Sequence, residues 1–237
     1  MEAYLGEVLG TFLLMVLGLG VNANASLKKT YASGGSWILI NWGWGIAVFV
    51  AVYVSASISG AHINPAVTVG LAMAGKFSWS LVGGYIIAQM IGAILGATLV
   101  WFHYRKHFEE TEDQGTKLGV FSTGPAIKST TDNVYSEVFG TFILVFGVLF
   151  LAEPEVGLGS ISALPVGLLV FGIGMSLGGT TGYAINPARD LGPRIAHFIL
   201  PIKGKGSSNW EYSWVPVIGP LLGGALAALV YGLLPFS

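Results

Sequence analysis

The sequence predicts an all-α membrane protein with six transmembrane helices and two re-entrant half-helices, arranged as an inverted repeat. Three observations support this prediction. The chain of 237 residues is 53% hydrophobic and only 10% charged, whereas a soluble domain carries about 25% charged residues. Six long apolar stretches alternate with polar ones, and several short segments occur twice.

The six apolar stretches are each close to the roughly 20 residues that a helix needs to cross the hydrocarbon core of a bilayer. They cover approximately residues 4–24, 37–56, 81–102, 134–152, 161–179 and 213–233. The polar stretches between them, including residues 103–133, are predicted to be loops. Two further segments, at about 64–75 and 186–199, are too short to span and are interpreted as half-helices.

The second half of the chain repeats the first. Residues 7–12 (Glu-Val-Leu-Gly-Thr-Phe) match residues 137–142 (Glu-Val-Phe-Gly-Thr-Phe), and the sequence Ile-Asn-Pro-Ala occurs in both halves. Each half contains three spans and one short segment, so the second copy is inverted in the membrane. We expect one domain over residues 1–237, with repeats over roughly 1–115 and 130–237, and a site near the midplane where interrupted helices meet.

The repeated motif is the strongest chemical signal. It comprises Asn64, Pro65 and Ala66 in the first half and Asn186, Pro187 and Ala188 in the second. Asparagine is a favoured N-cap and proline suits the first helical turn, so one copy alone indicates a capped helix. Two inverted copies predict half-helices that meet tip to tip at mid-membrane. Their positive ends would repel cations, and the asparagine amides would donate to a passing oxygen.

Two acidic residues, Glu7 and Glu137, lie inside apolar spans. An intramembrane acid is a functional hypothesis by default, and a proton relay in a proton-coupled secondary transporter is one interpretation. The other is that each carboxylate accepts hydrogen bonds from backbone N–H groups of the re-entrant segments. The symmetry of the two positions favours this second, structural role.

Three other polar residues are interpreted as supports for the half-helices. His62 is expected to brace its loop as a donor, because a lone histidine lacks the partner set that zinc needs. Gln89 is expected to satisfy loop carbonyls. Asp190 lies near a helix start, where a negative charge is favourable, and would orient Arg189 or Arg194.

Several classes of function are not indicated. The chain has no cysteine, and its net charge of −1 does not suggest a nucleic-acid partner. We find no phosphate-binding glycine loop, zinc-ligand spacing or nucleophile elbow. We therefore expect no cofactor, no metal and no enzymatic activity.

Two segments carry a family resemblance. Residues 59–68 (Ser-Gly-Ala-His-Ile-Asn-Pro-Ala-Val-Thr) and 182–190 (Gly-Tyr-Ala-Ile-Asn-Pro-Ala-Arg-Asp) resemble the signature loops of the major intrinsic proteins, the aquaporin family. Asp190, Arg194 and Pro216 are similar to the glycerol-facilitator, or aquaglyceroporin, branch. The resemblance covers essentially the whole chain. It implies homotetramers in the plasma membrane, with a pore in each subunit for glycerol, other small neutral solutes and water.

The resemblance also implies a selectivity filter built from Trp44, Gly174, Tyr183 and Arg189. Gly174 would leave room for a carbon chain, the two aromatic side chains would face that chain, and Arg189 would bind hydroxyls and oppose cations. Glycerol facilitators commonly have phenylalanine where this chain has Tyr183. A water-selective pore, or one that prefers lactic acid, urea or dihydroxyacetone, is therefore the alternative.

Overall fold

The computed structural model describes residues 1–151 and 161–235. Within these ranges the chain is all-α, as the sequence predicts, and it forms nine helices and no strand, one helix more than the predicted six spans and two half-helices. The helices are α1 (Glu2–Ser26), α2 (Trp37–Ser59), α3 (Pro65–Met73), α4 (Trp79–Glu110), α5 (Gln114–Phe121), α6 (Thr130–Leu151), α7 (Leu164–Leu177), α8 (Pro187–Ile199) and α9 (Val215–Gly232).

Five helices in the described part of the chain are long and apolar enough to cross a membrane, namely α1, α2, α4, α6 and α9. The predicted span at 161–179 contains α7, an apolar helix of 14 residues. At 1.5 Å per residue α7 covers about 21 Å, less than the roughly 30 Å of a hydrocarbon core. Position 152, the predicted end of the fourth span, lies outside the described residues.

The polar stretch at 103–133 is not all loop, so that prediction is wrong. Helix α4 continues to Glu110, eight residues beyond its predicted end at 102, and α5 follows it. Hydropathy marks the part of a helix inside lipid, and a helix that leaves the bilayer can continue through polar residues. Asp113 caps α5 through a hydrogen bond from Thr116 N to Oδ1 (2.6 Å). The hydrogen bonds from Thr116 lower the pKa of this exposed carboxyl.

Helix packing places the two half-helices inside the bundle. Helix α1 packs against α2 and α4, α6 packs against α7 and α9, and α2 contacts α7. Helix α3 lies mainly against α9, and α8 lies mainly against α4. Each half-helix therefore packs on a helix from the other half of the chain.

Two glycines allow equivalent close crossings. A Cβ at Gly92 of α4 would lie 3.0 Å from Phe12 N of α1, and one at Gly223 of α9 would lie 2.9 Å from Phe142 N of α6. Such approaches favour glycine, because helices in lipid associate through close backbone packing. The two crossings occupy equivalent positions in the two predicted repeats. The boundaries of those repeats, roughly 1–115 and 130–237, remain a prediction.

Candidate pore

Each half-helix begins directly after an asparagine that caps it. Asn64 Oδ1 accepts a hydrogen bond from Ala66 N (2.9 Å), and Asn186 Oδ1 accepts one from Ala188 N (3.0 Å). A proline occupies the first helical position in both cases, where its missing N–H costs nothing. Local sequence rules therefore explain why α3 and α8 start where they do.

The same asparagines connect the two half-helices. Asn64 Nδ2 donates to Ile185 O (2.8 Å), and Asn186 Nδ2 donates to Ile63 O (2.9 Å). Each amide thus bonds the carbonyl that immediately precedes the opposite asparagine. This reciprocal pair holds the N-terminal ends of α3 and α8 beside each other.

Glu7 holds the segment before α3. Its Oε1 accepts from Ser59 Oγ (2.7 Å) and His62 N (2.9 Å), and its Oε2 accepts from Ile63 N and Gln89 Nε2, both at 2.7 Å. The side chain is fully buried. Both of its oxygens are therefore occupied by donors from the protein.

Glu137 does the same for the segment before α8. Its Oε1 accepts from Thr181 Oγ1 (2.7 Å) and Ala184 N (3.0 Å), and its Oε2 accepts from Ile185 N (2.9 Å). It is also fully buried. Each glutamate therefore accepts from the two backbone N–H groups that precede the capping asparagine of its half-helix.

Both segments adopt a strained backbone. The φ angles are +54° at Ala61, +45° at Ile63, +38° at Tyr183 and +43° at Ile185. A left-handed conformation costs a residue other than glycine roughly 1–2 kcal/mol. Hydrogen bonds from the segments to the two buried glutamates offset this cost.

The strained backbone leaves carbonyl oxygens without partners. In the described ranges, no hydrogen bond within the protein uses the carbonyls of Ala61, His62, Tyr183 or Ala184. These four residues all line one cavity. Irregular backbone at membrane depth is tolerated where it lines a cavity that holds polar molecules.

That cavity, here called the central cavity, has a volume of about 200 Å³. It is lined by Asn64 and Asn186, by both strained segments, and by apolar side chains that include Leu14, Val48 and Val170. A second cavity of about 280 Å³, here called the α5-side cavity, is lined partly by α5. Three residues line both cavities, namely Trp44, Tyr183 and Arg189.

These three residues are also three of the four predicted filter residues. The guanidinium carbon of Arg189 lies 4.1 Å from the centroid of the Trp44 ring, within the range of a cation–π contact. Arg189 Nη1 also donates to Phe121 O at the end of α5 (3.3 Å). The Tyr183 ring meets the Trp37 ring edge-on at a centroid distance of 5.9 Å.

Gly174 differs from its expected arrangement. The space beside it is filled, because a Cβ there would lie 2.7 Å from Tyr183 Cζ and 2.8 Å from Tyr183 Oη and would also collide with Asn41 Oδ1. Gly174 is not among the residues that line the two cavities. The glycine accommodates the Tyr183 side chain, whereas the family resemblance implies that it leaves room for a carbon chain.

Asp190 pairs with Arg194, one of its two predicted partners. Its Oδ1 accepts from Arg194 Nε (2.8 Å) and Nη2 (2.7 Å), and its Oδ2 accepts from Thr123 N and Oγ1. Arg194 also donates to Thr123 O (3.0 Å). This fully buried ion pair ties α8 to the segment that follows α5.

Thr68 links the other two predicted supports. Its Oγ1 lies 3.1 Å from His62 Nδ1 and accepts from Gln89 Nε2 (3.0 Å). Gln89 therefore bonds a hydroxyl and the Glu7 carboxylate, and the expectation that it satisfies loop carbonyls is wrong. The residues that the structure describes contain no cluster of three His, Asp or Glu side chains suited to a metal ion.

Two contributors to this site are not predicted from the sequence. Asn22 of α1 accepts a hydrogen bond from Trp44 Nε1 (3.0 Å), and α5 covers one side of the predicted filter. An asparagine near the end of an apolar helix is itself a signal, because a polar side chain at membrane depth needs a partner. The signal for α5 is weaker, consisting of Asp113 as N-cap before a short mixed segment.

The profile of the family described as Major intrinsic protein matches residues 1–231. This chain belongs to the major intrinsic protein family. The chain is 55% identical over 231 residues to the glycerol uptake facilitator protein of Bacillus subtilis (strain 168), covering 98% of this chain and 84% of the relative. It is 54% identical over 231 residues to the probable glycerol uptake facilitator protein of Thermotoga maritima, covering 98% of both.

A solved structure agrees with this family assignment. The X-ray structure of the aquaglyceroporin from Plasmodium falciparum superposes with a TM-score of 0.87 at 34% identity, covering 98% of this chain and 96% of that one. As a major intrinsic protein with several apolar helices, the chain is a multi-pass membrane protein.

Proposed function

We propose that this protein is a passive channel for glycerol, other small uncharged solutes and water. The observation that carries the proposal is that Trp44, Tyr183 and Arg189 line both cavities, and that the central cavity also reaches the asparagines that cap both half-helices. Relatives at 54–55% identity are named glycerol uptake facilitator proteins. The proposed activity is conduction, not catalysis.

The walls of the central cavity suit an amphipathic solute. Unpartnered carbonyls of the two strained segments offer acceptors, and side chains such as Leu14, Val52 and Val148 offer an apolar surface. Glycerol has hydroxyls along one edge and carbon along the other. It can therefore exchange water for carbonyl oxygens while its carbon edge contacts the apolar wall.

The half-helix ends support exclusion of ions and protons. Each helix N-terminus carries roughly half a positive charge, and α3 and α8 both begin at the central cavity. An asparagine amide has two N–H donors, and each capping asparagine uses one on the opposite carbonyl. The second donor is left for a solute oxygen, which would orient a water molecule and interrupt a proton wire.

The glutamates argue against a proton-coupled transporter. Glu7 and Glu137 are fully buried, are bonded on both oxygens, and are not among the residues that line the central cavity. A proton relay would need carboxylates that exchange protons with molecules in the central cavity. Their arrangement favours the structural role and passive conduction.

The proposal is tested by stopped-flow light scattering on proteoliposomes. Wild-type protein is expected to accelerate glycerol equilibration well above that of protein-free liposomes, with no accumulation against a gradient and no pH-driven flux. Glycerol flux equal to that of empty liposomes would reject the proposed function. Accumulation driven by a proton gradient would support the transporter instead.

The Tyr183 hydroxyl is expected to have little influence on the choice of solute. Its oxygen is inaccessible to water and has no hydrogen-bond partner among the described residues, and it lies beside Gly174. We therefore expect Tyr183→Phe to leave the permeability ranking of glycerol, urea, lactic acid and dihydroxyacetone unchanged. The exposed Tyr53→Phe variant is the control, and a reordered ranking in Tyr183→Phe alone would show that solutes contact the hydroxyl.

We also propose that the chain acts as a homotetramer in the plasma membrane, with one pore per subunit. Apolar side chains that are exposed in the single chain, such as Ile87, Leu95 and Phe102 of α4, would contact lipid or a neighbouring subunit. Mass measurement of the protein in nanodiscs tests the subunit number.

A further inference from the structure

Trp44 rests on one face of α1. Gly18 and Asn22 are four positions apart and therefore lie on the same side of that helix. A Cβ at Gly18 would lie 2.5 Å from both Cε3 and Cη2 of Trp44. Asn22 Oδ1 accepts the indole N–H (Trp44 Nε1) at 3.0 Å. Together the two residues fix both the depth and the rotation of the ring.

Asn22 also bonds the end of α5. Its Nδ2 donates to Val120 O (3.3 Å), with Gly119 O at 3.5 Å. The last carbonyls of a helix have no partner within that helix, so this bond satisfies a group that would otherwise be orphaned. The Asn22 side chain is 7% exposed, and it lines the α5-side cavity.

These bonds complete a closed ring of contacts that includes two of the residues lining both cavities, Trp44 and Arg189. Asn22 bonds Trp44, the Trp44 ring contacts Arg189, Arg189 bonds Phe121 O, and Asn22 bonds Val120 O. Trp44 and Arg189 line both cavities. A rotation of the indole would therefore change the width of the cavities at Trp44. It would also break the contact between the face of the ring and the Arg189 guanidinium.

We propose that Asn22 is a positioning residue that sets the orientation of Trp44 and thereby the size discrimination of the pore. The proposal rests on the proposed function. With Asn22 present, the indole N–H is bonded within the wall and the ring presents carbon to the solute. Without it, the indole N–H loses its acceptor and the ring is no longer held in this rotation.

The test compares the permeability of glycerol with that of ribitol, a longer linear polyol, in proteoliposomes. Asn22→Leu keeps the size of the side chain and removes both bonds. We expect the glycerol-to-ribitol ratio to change by roughly threefold or more, since small differences in barrier height act exponentially on rate. If Asn22→Leu does not fold, Asn22→Ala removes the same bonds and carries the same expectation.

A double-mutant cycle separates positioning from general support of the fold. Trp44→Phe has no indole N–H, so Asn22→Leu in that background is expected to change the ratio no further. Melting temperatures in detergent are measured in parallel. A purely structural Asn22 would lower the melting temperature in both backgrounds and leave the ratio unchanged, which would overturn the inference.

Gly18→Ala tests the other contact of the ring on α1. Its Cβ would push the indole away from α1, and we expect glycerol flux to fall roughly fivefold, by the same exponential dependence. Gly20→Ala is the matched control, because nothing lies within 4 Å of a Cβ there. Equal flux in the two variants would show that glycerol conduction does not depend on the position of the Trp44 ring, which would contradict the inference.

The outcomes distinguish the inference from the proposed function. Wild-type vesicles without glycerol flux would overturn the function and this inference with it. Wild-type flux together with an unchanged ratio in Asn22→Leu would overturn the inference alone.

Discussion

Replacing Glu137 with alanine is expected to destabilise the folded protein by about 3 kcal/mol or more and to abolish glycerol flux. Three buried donors lose their acceptor, namely Thr181 Oγ1, Ala184 N and Ile185 N, and each unpaired buried group costs about 1–3 kcal/mol. Two of the donors belong to the strained segment before α8. The segment would relax to a less costly conformation and its carbonyls would leave the cavity wall.

Glu137→Gln gives the graded comparison. One amide oxygen can still accept from Thr181 and Ala184, but the NH₂ group then faces Ile185 N and one bond is lost. We expect melting temperature and glycerol flux to fall in the order wild type, glutamine, alanine. Glu109→Ala, on the exposed end of α4 beside Lys106, should behave as wild type. An alanine variant with wild-type stability would show that Glu137 does not hold the segment.

Gly174→Ala is expected to lower glycerol permeability about tenfold, which corresponds to roughly 1.4 kcal/mol in barrier height. The new methyl group would overlap Tyr183 and Asn41 Oδ1. The Tyr183 ring cannot move along α7, because its Cδ1 already lies close to Gly178, and Trp37 packs against its edge. The remaining direction is into the cavities that Tyr183 lines, so the opening narrows.

Water permeability should fall less than glycerol permeability, because water is smaller. Gly172→Ala is the control on the same helix, since no atom lies within 4 Å of a Cβ there. Combining Gly174→Ala with Tyr183→Ser removes the overlap and is expected to restore glycerol flux. If Gly174→Ala alone conducts glycerol at the wild-type rate, the Tyr183 ring does not move into the cavities and the prediction is wrong.

Features set by local chemistry could be predicted from the sequence. Asparagine is a favoured N-cap and proline suits the first helical turn, so the starts of α3 and α8 could be located from the two Asn-Pro pairs. The two intramembrane glutamates could be found because a carboxylate in an apolar span needs donors, and the repeat indicated which segments supply them. These inferences needed no knowledge of the tertiary packing.

Features set by packing could not be predicted in the same way. The space beside Gly174 is filled by a residue nine positions later in the chain, after an irregular segment whose path the sequence does not specify. Asn22 meets Val120 only because α5 folds back over the filter region, and it meets Trp44 through the packing of α1 against α2. Such contacts depend on the path of the polar stretch after α4, where hydropathy carries no signal.

The reciprocal amide bonds of Asn64 and Asn186 have a consequence for biosynthesis. Their partners lie 121 and 123 positions away, and a ribosome adds about 5–20 residues per second. The acceptor of the Asn64 amide is thus synthesised on the order of 10 s after Asn64 itself. The first re-entrant segment can reach its final arrangement only after the C-terminal part of the nascent chain has entered the bilayer, so assembly of the midplane is a late, post-insertion event.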